Sequence, residues 1–185
     1  RWRLMAVGDV LLDDTEARCA NAFAHVVPQL ADADLAIVNL ETAVASAATG
    51  SPAVKTYVFK SPPSAATTLA RAGVDIANLA NNHSLDFGPA ALLEGIGHLE
   101  RAGIAVVGAG RDANGANAEV RRTIGGVRVA VLGATRVMPA PAWAATASRP
   151  GIPSAYHNAG MSARVNRGPY TRARVAQSRP RRIIG

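Results

Sequence analysis

The sequence predicts an α/β fold built on a mainly parallel sheet, and two observations carry that expectation. Short apolar runs of Val, Ile, Leu and Ala recur without polar alternation, as strands buried on both faces do. Between them lie stretches opened by Pro and closed by Gly, the punctuation of helices. "RLMAVG" at 3–8 is the first strand, ending in Gly8-Asp9, and 14–31 follows with a helical pattern. "LAIVNL" at 35–40 is the second strand and leads into Glu41 and a loop of Ala, Ser and Gly. Pro62 and Pro63 precede a helix over 64–72 that Gly73 stops, and "VDIANLA" at 74–80 is the third strand. Pro89 opens a helix over 90–102, Gly103 closes it, and "IAVVGAG" at 104–110 makes a fourth strand and turn. "EVRRTIGGVRVAVLGA" at 119–134 reads as two strands joined at Gly125-Gly126 in a tight hairpin. This alternation of strand and helix selects a parallel sheet. No internal repeat is present.

Composition narrows the function classes. Half of the 185 residues are hydrophobic (49%), which is globular rather than disordered composition. No run of 18 apolar residues occurs, so no membrane-spanning helix is expected. One cysteine, Cys19, rules out an internal disulfide. The net charge of +7 suggests a nucleic-acid binder until its distribution is read. Residues 1–160 carry 13 basic and 13 acidic side chains, whereas 161–185 carry seven arginines and no acid. The whole excess belongs to the tail. That tail lacks apolar periodicity and holds Tyr170 as its one aromatic, so no nucleic-acid partner is expected. It reads as a solvated end, as a basic arm for polyanions, or as text out of frame with its own gene.

Polar residues interrupt the apolar pattern at related places. In an open α/β sheet, ligands bind beyond the carboxyl ends of the strands. Asp9 follows the first strand, Glu41 the second, and Asn81-Asn82-His83 the third. Carboxylates, an amide oxygen and an imidazole are ligands of divalent ions such as Mn, Zn or Fe. A carboxylate beside apolar strands is costly when alone, so a shared cation or another positive partner is expected there. Each residue has a plainer reading: Asp9 as a turn or N-cap residue, Glu41 as a loop carboxylate, Asn81 and Asn82 as a turn, His83 as a satisfied core histidine. Their joint placement favours a site. His25 and His98 fall on predicted helices and read as structural; His157 lies in a Pro/Gly/Ser-rich stretch and carries no argument.

"VGDVLLD", "ADLAIVNLETAV", "YVFKSPP", "GVDIANLANNHSLDFG" and "LERAGIAVVGAG", in that order, resemble the bacterial capsule-synthesis CapA family, also called the poly-γ-glutamate synthesis or PGA_cap family. The resemblance runs from Arg3 to about Thr135. It implies a metallo-dependent phosphatase-like fold, a four-layer α/β/β/α sandwich. It also implies that Asp9, Glu41 and Asn82 stand at metal-holding positions and His83 at a catalytic one, with Lys60 and Asn81 as substrate contacts.

The departures from metallophosphoesterase motifs shape the expectation. Val10-Leu11 follow Asp9 where an Asp-x-His is usual, Asn39-Leu40-Glu41 stand for Gly-Asp-x-x-Asp, and Asn81-Asn82-His83-Ser84 stand for Gly-Asn-His-Glu. The later His-Trp-Gly and His-x-His segments do not follow residue 135. The resemblance therefore implies a partial, apparently truncated domain over 1–155, followed by a basic tail over 156–185. The implied function is capsule or poly-γ-glutamate biosynthesis, with metal-dependent hydrolysis at the site. The rival is a non-catalytic factor that binds or exports anionic polymer. The implied partners are that polymer and the capsule synthesis or export machinery, and the implied location is the cell envelope or outside it.

Overall fold

The computed structural model describes residues 2–18 and 22–155. Cys19, His157 and the tail of residues 156–185 lie outside the described residues. Four parallel strands form the central sheet: β1 (Leu4–Val10), β2 (Leu35–Leu40), β5 (Ile76–Asn78) and β6 (Ala105–Val107), in that spatial order. Sequence order and spatial order coincide, and right-handed crossovers then put every connecting helix on one face. α3 (Ser64–Arg71) and α4 (Gly88–Arg101) are the main crossover helices. Ala65, Ala66 and Leu69 of α3, and Ala91, Leu92, Gly95 and Leu99 of α4, are buried. Of these, Ala65, Ala66, Leu69, Leu92 and Leu99 meet Val38 and Leu40 of β2 and Ala77 of β5 in the principal core.

The opposite face of the sheet is covered by the hairpin of β7 (Val120–Ile124) and β8 (Val127–Val131), which are antiparallel. Gly125 and Gly126 both have positive φ, which the tight turn between them requires. Ile124, Val120, Val129 and Val131 pack on Leu35, Ile37, Ile76 and Val107. Alternate residues of β2 thus serve two cores: 35 and 37 face the hairpin, 38 and 40 the helices. Helices, parallel sheet and hairpin make three layers. Full burial of side chains such as Ile76 and Leu99 contributes roughly 1.5–3 kcal/mol each.

Two local features differ from the sequence expectation. The helical pattern of 14–31 resolves into α1 (Asp14–Arg18) and α2 (Val27–Ala31). Pro28 is the reason: a proline belongs in the first turn of a helix, and it stands in the first turn of α2. After Glu41 the chain adds a second small parallel pair, β3 (Ala43–Val44) with β4 (Lys60–Ser61). α5 (Ala113–Ala116) and a 3-10 helix (Pro141–Trp143) complete the elements. Beyond that helix the chain returns to the segment after β6, where Gly110 and Gly151 exchange two backbone hydrogen bonds of 3.0 Å in an isolated antiparallel bridge. None of the helices is long and apolar enough to cross a membrane among the described residues.

Candidate active site

The candidate site forms where β1, β2 and β5 end. Leu4, Met5 and Ala6 of β1 pair with Leu35, Ala36 and Ile37 of β2, and one extra residue in β1 then shifts the register. Without that bulge Gly8 would lie opposite Asn39. With it, Asp9 does, and Asn39 in turn pairs with Asn78 of β5. A row of polar residues crosses three strands at one level. Asn78 Nδ2 donates to Asn39 Oδ1 at 2.9 Å, and Asn39 Nδ2 donates to Asp9 Oδ1 at 2.7 Å. Asn81 Nδ2 also donates to Asn39 Oδ1, at 3.2 Å. These bonds fix which end of the Asn39 amide faces the carboxylate. Space around Asn78 is kept by Gly108 and Gly133, where any Cβ would collide with its Oδ1.

Glu41 follows β2, with its backbone N–H bonded to the Val10 carbonyl at 2.9 Å. Its carboxyl is in hydrogen-bond contact with that of Asp9. The Asn39 amide, then this bond from Glu41, hold Asp9 below the usual carboxylate range, aided by the charge of His83. Burial, then the bond and negative charge of Asp9, push Glu41 upward, against the opposing charges of His83 and Lys55.

The third strand delivers a tight loop. Asn81 is committed at both ends: Nδ2 also donates to the Leu40 carbonyl at 2.9 Å, and Oδ1 accepts from the His83 N–H and the Ser84 hydroxyl at 3.0 Å each. Asn82 is half-buried, and its side-chain amide makes no hydrogen bond among the described residues. His83 is buried with its Nδ1 2.6 Å from Asp86 Oδ2, and the Phe59 ring lies 4.2 Å from the imidazole centre. Lys55 Nζ donates to Asp86 Oδ1 and to the Asn82 carbonyl, both at 2.6 Å. Lys60, by contrast, donates to the Ala47 and Thr49 carbonyls at 3.1 and 2.7 Å and rests over the Phe87 ring. Its ammonium braces the loop after β3.

The structure thus brings Asp9, Glu41 and His83 within electrostatic reach of one another, with Asn82 next in the chain to His83. Among the described residues there is no group of three or more His, Cys, Asp or Glu that could hold a metal ion. Sequence reasoning missed Asn39, Asn78, Asp86 and Lys55. Asn39 and Asn78 carried a signal, a polar residue at the end of an apolar strand; Asp86 carried another, the three-residue spacing from His83. Lys55 carried none, because it lies in an irregular loop. His98 has an acidic neighbour, Glu94 one turn earlier, at 3.1 Å. His25 lies in a turn before α2, not on a helix.

Comparison with known proteins adds to this geometry. A family model described as "Bacterial capsule synthesis protein PGA_cap" matches residues 3–180, past Thr135, to which the resemblance extends. A probable polyglutamine synthesis accessory protein of Mycobacterium tuberculosis is 33% identical over 123 residues, 64% of this chain and 32% of that protein. The capsule biosynthesis protein CapA of Bacillus anthracis is 30% identical over 153 residues, 78% of this chain and 37% of that protein. The chain spans about a third of the length of these curated relatives.

Proposed function

Because the chain belongs to the bacterial capsule synthesis protein family PGA_cap, we propose that it serves capsule or poly-γ-glutamate biosynthesis through metal-dependent hydrolysis at Asp9, Glu41, Asn82 and His83. The observation that carries this reading is the contact between the Asp9 and Glu41 carboxyls beside His83. Two carboxylates so close cannot both ionise without repulsion, and a divalent cation relieves that more fully than a proton. The donors that fit such an ion here are the two carboxylates and the uncommitted Asn82 amide oxygen. When bound, the ion supplies Lewis acidity and lowers the pKa of a coordinated water.

The chain's own residues do the remaining work. Asn39 orients Asp9, so one carboxylate oxygen is committed and the other is left for the ligand. His83, anchored at Nδ1, has Nε2 left to handle a proton: bare in the Nδ1–H form, it accepts one first, and the resulting imidazolium can then protonate a leaving group. The Phe59 ring shields the imidazole from water. Lys60 spends its hydrogens on the loop after β3 and Asn81 on Asn39 and Leu40 of β2, and both shape the site in this reading. The hairpin of β7 and β8 is read as the start of the second sheet of an α/β/β/α sandwich. The anionic polymer is the proposed substrate and the cell envelope the proposed location.

The test is calorimetric titration of the chain with Mn or Zn, followed by assays for product released from a phosphoester and from a γ-glutamyl polymer. Binding is expected, with thermal stabilisation of about 2.7 kcal/mol at a hundredfold excess over Kd, reversed by a chelator and abolished in Asp9→Asn. Absence of metal binding at millimolar concentration sinks the reading. A second reading, non-catalytic polymer binding or export, is favoured by the description of the mycobacterial relative as an accessory protein. Polyglutamate affinity with no product, metal present or absent, selects it.

A further inference from the structure

We propose that Lys55 and Asp86 form a positioning pair that holds His83 as its Nδ1–H tautomer and leaves Nε2 as the working nitrogen beside the carboxylates. The argument begins with a conflict at one atom. His83 Nδ1 lies 2.6 Å from Asp86 Oδ2 and 3.1 Å from Lys55 Nζ. A bare Nδ1 could accept from Lys55, but it would then face a carboxylate oxygen at 2.6 Å with no hydrogen between them. That arrangement is repulsive, whereas an Nδ1–H donated to Asp86 makes a short charge-assisted bond. The proton therefore lies on the Asp86 side.

The other acceptors of Asp86 close the argument. Oδ2 also accepts the Phe59 N–H at 2.7 Å, and Oδ1 accepts from Lys55 at 2.6 Å. Asp86 is fully buried, so its charge requires a partner, and Lys55 is that countercharge. Lys55 spends a second hydrogen on the Asn82 carbonyl and faces the Trp143 ring at 5.4 Å. Two of its three hydrogens are spent inside this loop and its side chain is only 17% exposed, which makes it a brace and not a contact for an anionic substrate. The brace also fastens segment 53–59 across the loop, since the Ala53 N–H bonds the Asp86 carbonyl at 2.7 Å. Nothing in the pair touches a reacting atom; it acts through His83.

This inference rests on the proposed role of His83, and its test needs neither metal nor substrate. Nitrogen-15 histidine spectra of the whole chain report the tautomer directly, with His83 among the four histidines assigned by its loss in His83→Gln. The expected result is a protonated Nδ1 in the wild type, loss of that signature in Asp86→Asn, and shifted or broadened His83 signals in Lys55→Met that Lys55→Arg restores. A bare Nδ1 in the wild type overturns the proposal, and so does an unchanged His83 spectrum in Asp86→Asn or Lys55→Met. The wild-type measurement decides even where a variant fails to fold. If the tautomer is as expected while no product forms from any substrate, the pair stands and the hydrolytic reading falls.

Discussion

At the scale of single residues, the molecule spends its polar side chains on one another. The Asp9–Glu41 pair gives a pH prediction. Glu41 is raised, so its share of stability is full below its unfolded value near 4.5 and is lost as pH rises through the folded value. In metal-free buffer, Glu41→Gln keeps a donor for Asp9 without the charge. It is expected to unfold at a higher temperature than the wild type at pH 7, with the gap closing below pH 4.5; an unchanged gap in thermal scans refutes this. Glu94 behaves oppositely. Bonds from the Ser46 hydroxyl, Thr49 and the Ser46 N–H lower it to about 2, so its stability is present above 4.5 and lost as pH falls toward 2. Glu94→Gln is expected to cost about 1–2 kcal/mol at pH 7 and little at pH 2, measured by denaturant titration. Asp9, Glu41 and His83 were legible in the sequence because each ends an apolar run. Lys55 was not, since its meaning lies in two acceptors drawn from one distant loop and a ring from another.

At the scale of elements, glycine placement decides the contact between α4 and β3. A Cβ at Gly95 would lie 2.8 Å from the Val44 carbonyl oxygen, which is backbone and cannot rotate away. Gly95→Ala gains helix propensity of about 1 kcal/mol, yet overpacking of roughly 1–3 kcal/mol is expected to outweigh it. A higher melting temperature would contradict that. The same region shows where sequence reading stops. The hairpin over 120–131 and the strand over 35–40 were readable, one from its paired glycines and one from an unbroken apolar run. β3 and β4 were not, because two-residue strands have no periodicity to detect. The break between α1 and α2 was in principle readable from Pro28, against an apolar pattern that runs through it.

At the scale of the whole molecule, the layers explain why the site lies where it does. Helices fill one face of β2, β5 and β6 and the hairpin fills the other, while β1 at the edge stays largely exposed, so polar groups of the central strands reach solvent at the strand ends. Parallel order aligns those ends, and Asp9, Glu41 and the Asn82-His83 loop gather there. Yet the sheet does not hold all of them equally. β1 is one of its two edge strands among the described residues, bonded to β2 on one side and interrupted by the bulge before Asp9. Glu41 and His83 rise from strands flanked on both sides, whereas Asp9 rides on the backbone that opens most readily to water. A ligand gripping Asp9 must therefore also close that edge. Amide deuterium uptake along Leu4–Val10 is expected to slow on ligand binding while that of Ile76–Asn78 stays the same, and part of the intrinsic affinity goes into ordering a single strand.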